Sequence, residues 1–415
     1  MRRSSPYSTA PRADARRRVT NDRDEERTRR RERPGFFFFF SFARGSRGRR
    51  ALRWSGRALL ALLAALILFA VATPMGRYLG RAGWAEAGIL ARRRPIAAMV
   101  ADTATAPATR GKLEIVLAAR AFARDSLHLD ARESYTTFSA LDRDTLVLVV
   151  SAAYRDTLAF YTWWFPIVGR VPYKGFFRPA DALAAARELE RAGLDTVVRP
   201  ASAFSTLGFF NDPLLSTTLA EDSTSLANTV IHELLHNTFY APGESAFNES
   251  FANFVGARGA EHLFARRGDS AHAALARVDW EREKLLGRFW SGVYYALDSA
   301  FRVHPGDRAA RLAARDTVFA LARSHFMRDV LPHVPGLPPG RTMPLRLDNA
   351  TLMARRLYRT GLDDFDAVYA REGGDLDRAA ARVIALARSR PEDPFAALRA
   401  YVASAGAEAP AQQLP

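Results

Sequence analysis

In the stretch IHELLHNTFY, residues 231–240, His232 and His236 flank Glu233 inside an otherwise apolar run. Imidazole nitrogens and carboxylate oxygens are donors that hold divalent metal ions. Four residues along a helix is slightly more than one turn, so both rings can reach a single ion. On a helical wheel over 226–240, Leu226, Ala227, Val230, Ile231, Leu234, Leu235 and Thr238 fill one half. The two histidines, about 40° apart, and Glu233 fill the other. The apolar half can then pack into a core. Glu233, one step round from the rings, is displaced from ligation but positioned to accept a proton from water activated by the ion. This is the logic of the His-Glu-x-x-His motif of zinc hydrolases. The plain alternative is a buried helix that carries these residues by chance. The chain has only eight histidines, and burying an unpaired Glu beside two of them would be costly.

A catalytic zinc needs a third protein ligand and an open fourth position. The segment APGESAFNESFANFVGARG, residues 241–259, offers one. Pro242 and Gly243 break the first helix, Asn248 reads as the N-cap of a second, and a short αα-hairpin brings Glu249 near the level of His236. Glu249 is the simplest third ligand. Its rivals, His262 and His272, lie farther off among charged residues. The metzincin pattern does not fit, because Phe239 and Pro242 stand where its glycine and third histidine would be. Tyr240, on the ligand side of the helix, is the candidate donor to the oxyanion. Asp212 reads equally as a partner for a ligand histidine or as an Asp-Pro turn starter.

The elements that must position these groups are legible in outline. Residues 85–127 read as helical; 144–152 and 160–169 read as strands, the second turning through Gly169 into RVPYKGFF. A helix over 179–193 leads into the strand DTVVRP. From 224 to about 402 the pattern is mostly helical, broken by the Pro and Gly cluster at 333–344. The expected fold class is α+β, predominantly helical: a zincin-like catalytic helix pair with a small sheet, preceded by a single transmembrane helix.

That transmembrane helix is expected over 53–75, where every residue from Ala58 to Ala72 is apolar. Arginines at 44, 47, 49, 50, 53 and 57 crowd its N-terminal side. The positive-inside rule therefore keeps residues 1–52 in the cytoplasm and sends the body to the periplasm or exterior. This is the topology of a single-pass protein of the bacterial inner membrane; the alternative is cleavage after the AVA at 70–72. Residues 1–57 hold 18 Arg against 6 acidic residues, which is +12 of the chain's +16. The basic excess thus belongs to an Arg-rich head expected to be disordered, with no nucleic-acid module beside it, and no nucleic-acid partner is expected. Residues 76–402 form the enzymatic domain and 403–415 a flexible tail. The chain has no cysteine, which excludes disulfides, thiolate metal sites and a cysteine nucleophile.

Five blocks in order, PIAAMV, WWFPIVGRVPYKGFF, SAFSTLGFFNDPLLST, IHELLHNTFY and AFNESFANFV, resemble the bacterial predicted aminopeptidase family of gluzincin type. The resemblance runs from about Tyr78 to about residue 388. It implies Zn2+ held by His232, His236 and Glu249, Glu233 as general base, and peptides as substrates. Two departures stand out. Members often carry a lipoprotein cysteine before the matching region, which is absent here, so the apolar helix must do the anchoring. Many have a further acidic residue near where this chain has Gly256. The expected activity is peptide hydrolysis by a membrane-anchored zinc aminopeptidase. The rival is an inactive membrane-anchored scaffold with a structural metal, against which Glu233 counts, since a structural site has no use for it.

Overall fold

The computed structural model describes residues 46–141, 147–165, 169–201, 211–338 and 340–407. Residues 1–45 with the phenylalanine run, the whole of SAFSTLGFF at 202–210 and residues 408–415 lie outside them. The chain divides into two units, Met1–Phe69 and Ala70–Pro415.

The apolar segment is part of one long helix, Ser46–Ala72. It begins inside the segment expected to be disordered head. Its stretch Trp54–Ala72 has a mean hydropathy of 2.2 and no buried residue, and is long and apolar enough to cross a membrane.

In the second unit the helical reading of 85–127 gives way to three pieces, Pro74–Ala91, Ile96–Ala101 and Pro107–Ser126. Pro95 immediately precedes the second piece and Pro107 opens the third, where a missing N–H costs nothing. Between the first two, Arg94–Pro95 pairs antiparallel with Thr137–Ser139, which pairs parallel with Leu214–Leu215.

The main sheet is antiparallel, with Val147–Tyr154 between Tyr173–Phe176 and Leu194–Ala201. Its register puts Val149 opposite both Arg199 and Gly175, and Val150 opposite Lys174 and Val198. Side chains alternate in direction, so the two rows face opposite ways. Val150 packs on Ala182 and Ala186 of the covering helix Pro179–Arg191. The row containing Val147, Val149, Gly175 and Arg199 is left to face a cleft.

The other wall is helical. The motif helix, Ser223–Thr238, starts at Asp222, whose side chain accepts the N–H groups of Thr224 and Ser225. Leu226, Ala227, Val230, Ile231, Leu234 and Leu235 are all buried, as the wheel requires. Full burial of each larger one contributes about 1.5–3 kcal/mol. Thr238, on the same half, bonds Leu234 O and accepts the N–H of Asp130. The return helix is Ser245–Arg266. Its Phe251 and Phe254 stack on Phe365 at 5.7 and 5.6 Å, and the long helix Ser270–Val303 packs beside it. The tail is helical as far as Ala407, in Pro394–Ala407.

Candidate metal centre

Asn248 does not cap the return helix, which starts at Ser245 after Glu244. It is buried within the first turn, donating to Ala241 O and accepting Ala241 N–H, both at 2.8 Å. One carboxamide thus closes the Pro242-Gly243 turn, with Gly243 at a φ of 85° that a glycine takes without strain. Farther along, the two helices approach too closely for side chains. A Cβ on Gly256 would lie 2.1 Å from Asn228 Oδ1 and 2.8 Å from Asn228 O. A side chain at position 256 has no room here.

With the hairpin so fixed, one donor atom each from His232, His236 and Glu249 lie within 4.8 Å of one another. The two Nε2 atoms are 3.2 Å apart; His232 Nε2 is 3.5 Å from Glu249 Oε2 and His236 Nε2 is 3.8 Å from Glu249 Oε1. Bonds of 2.0–2.1 Å to a tetrahedral ion set donor atoms about 3.3 Å apart. The triangle therefore fits such an ion with little adjustment, and its nitrogen and oxygen chemistry suits zinc. The rival histidines are engaged elsewhere. His262 is half-buried with Nε2 at 2.7 Å from the Tyr369 hydroxyl, not on the surface, and His272 pairs with Asp269.

The electrostatics agree with a cation between the three. Burial, and then His232 beside it, push His236 down to about 4. Burial also works against charge on His232, but its bond to Glu249 and the two nearby carboxylates outweigh it and raise the ring. Burial alone would raise Glu249; the bond from His232 and the positive neighbours, Arg199 among them, hold it below the usual carboxylate range.

The cleft around this triangle has a volume of ≈ 1000 Å³. Thr224, Asn228, His232 and His236 follow one another along its floor, about 18 Å of the motif helix. Glu233 lines it beside the rings, and Tyr240 stands at its rim, 41% exposed, with its ring 6.4 Å from that of His236. Asp212 meets the core through its backbone carbonyl, which accepts Tyr135 N–H.

Three further residues line the cleft: Tyr358 and Arg199 come from segments that no motif marks, and Tyr173 from within the block WWFPIVGRVPYKGFF. Tyr358 stacks on His232 with centroids 6.5 Å apart; burial, then the charge of Glu249, push its phenol up to about 12. The return helix holds it in place: Asn253 Nδ2 donates to Tyr358 O, and Ser250 Oγ both donates to Leu357 O and accepts Thr360 N–H. Arg199 reaches from the sheet to within 5.5 Å of the Tyr358 ring, and Tyr173 lines the same wall. The only signal for Arg199 in the sequence was its place in a strand, DTVVRP, whose alternation puts it on one face.

A mainly helical domain with a sheet-walled cleft over two histidines and a glutamate is the class of protein that fold and site define. Residues 77–398 match the family described as "Putative aminopeptidase", and the chain belongs to that family. No curated protein and no solved structure matches it.

Proposed function

We propose that this protein is a zinc-dependent peptidase of gluzincin type, acting as an aminopeptidase. Its zincin-like helix pair carries the metal ligands His232, His236 and Glu249. The observation that carries the reading is the donor triangle of 3.2, 3.5 and 3.8 Å with Glu233 beside it in an open cleft. Zinc bound there would lower the pKa of water toward neutrality and polarise a peptide carbonyl. Glu233 accepts the proton as the water attacks and delivers it to the leaving amine. A phenolic O–H, from Tyr240 or the buried Tyr358, holds the carbonyl oxygen as charge develops on it. The sheet face and the return helix fix the peptide between them and keep bulk water away from the bond.

The Ser46–Ala72 helix anchors the protein in the bacterial inner membrane with the cleft facing the periplasm or exterior. Support for this is its exposed apolar stretch and the arginines on its N-terminal side.

The test is the full chain in detergent, assayed for metal content and for digestion of a peptide library, beside Glu233→Gln. One zinc per chain in both proteins, with hydrolysis about 10²–10⁴-fold slower in the variant, is expected. A Glu233→Gln protein that holds zinc and hydrolyses at the full rate would end this mechanism.

A further inference from the structure

The cleft's charges are unevenly satisfied away from the donor triangle. Apart from Glu233, its remaining acids are neutralised: Asp279 Oδ1 accepts from Arg282 Nη2 at 2.6 Å, and Glu283 Oε2 lies 2.7 Å from Arg359 Nε. Two arginines lining the same cleft, Arg199 and Arg355, have no carboxylate at ion-pair distance among the described residues. Arg199 Nε is buried without a hydrogen-bond partner, and its Nη2 gives the Tyr358 hydroxyl a bond of only 3.5 Å. A guanidinium has five donors. Leaving the buried Nε of Arg199 without a partner is costly unless an anion arrives to take it.

The neighbourhood agrees. Arg355 is exposed to solvent on the cleft wall, and partial desolvation, then the positive charge of Arg359, lower its pKa against the pull of Glu283. Both guanidiniums line the one cleft. The Arg199 guanidinium is also close to the chemistry. It sits 5.5 Å from the Tyr358 ring, itself 6.5 Å from the His232 ring, so at most about 12 Å separates it from the ligand. An extended peptide covers about 3.3 Å per residue. Among the described residues of the cleft, by contrast, no acid other than Glu233 and Glu249 is left for a substrate amine. Asp279 and Glu283 are paired, and Gly256 admits no side chain.

We infer that Arg199 and Arg355 form a carboxylate-binding subsite, so that the favoured peptides carry an acidic side chain or a free C-terminal carboxylate within about three residues of the bond cut. This rests on the peptidase reading for the cutting but not for the binding. The planar fork of Arg199 is suited to bidentate capture of a carboxylate, and Arg355 supplies the second charge.

The test uses matched peptides: Glu against Gln at each of three positions on either side of the cut bond, and a further pair with the C terminus free or amidated. Zinc-loaded full-length protein should prefer the carboxylate member of one pair by about tenfold to a hundredfold in kcat/KM. Which pair shows it distinguishes a side chain from a chain terminus. Arg199→Gln and Arg355→Gln should each draw that ratio toward one, and Arg355→Lys should retain part of it. Equal cleavage of both members of every pair by the parent protein overturns the inference. So does a loss of turnover in the arginine variants with the ratio unchanged, which would make them structural or transition-state residues. Calorimetric titration of Glu233→Gln with the same pairs reads binding alone. Carboxylate peptides binding about tenfold more tightly to this variant, while the zinc-loaded parent protein cuts none of them, would keep the subsite and remove the peptidase; equal binding within every pair would remove the subsite.

Discussion

Replacing Gly256 with alanine would drive a methyl group into the helix that carries the histidines. The new Cβ would meet Asn228 Oδ1 at 2.1 Å and Asn228 O at 2.8 Å. The side-chain amide can turn away, but the backbone oxygen belongs to the motif helix one turn before His232 and cannot. Ordinary contact requires the helices to part by about half an ångström there, and overpacking of this kind costs about 1–3 kcal/mol. Spread over the unfolding entropy of the family-matched span, that lowers Tm by about 1.5–4.5 °C. The same displacement stretches the separations of 3.5 and 3.8 Å between Glu249 and the histidines. Zinc affinity should fall about 10–100-fold, as when a supporting contact of a metal site is lost. Gly259→Ala is the comparison: its Cβ would meet Ile231 Cδ1 at 2.9 Å and Cγ2 at 3.0 Å, side-chain atoms with no backbone atom among them, so the loss should be the smaller of the two. Thermal melts without metal read the packing, and competition with a chromophoric chelator reads the affinity. A Gly256→Ala protein with unchanged Tm and zinc affinity, or a Gly259→Ala protein that is the worse of the two, would refute the reasoning.

Asn248→Ala leaves the N–H and C=O of buried Ala241 without their partner, and metal-free melts should show a loss of about 2–4 kcal/mol. Tyr240→Phe and Tyr358→Phe, compared by kcat at saturating peptide, should separate the two hydroxyls: the one that holds the carbonyl oxygen drops about 10²-fold. If neither changes kcat, the oxyanion partner lies elsewhere. Deleting residues 1–72 should move the protein from the membrane to the soluble fraction, and retention in the membrane would remove the anchoring role of the Ser46–Ala72 helix.

The helix around IHELLHNTFY was legible because its evidence is local. Apolar residues at helical spacing bury one half, and two histidines four apart must then share the other. The Pro242-Gly243 break and the order of strands and covering helix were readable for the same reason, since turn chemistry and periodicity act over a few residues. Asn248 shows where that reading stops. Its type suits a cap, but only the folded hairpin reveals that its amide reaches back to Ala241 instead.

By itself the sequence determined the donor types, the face they share and the apolar helix near the N terminus, all consequences of composition and short-range period. The tertiary structure alone decided that Arg199 and Tyr358, more than a hundred residues apart, meet above His232, and that Gly256 and Gly259 let two helices close on one another. Such meetings depend on how elements pack across long separations in the chain, and that information resides in the combined shape of many side chains, not in the spacing of any few.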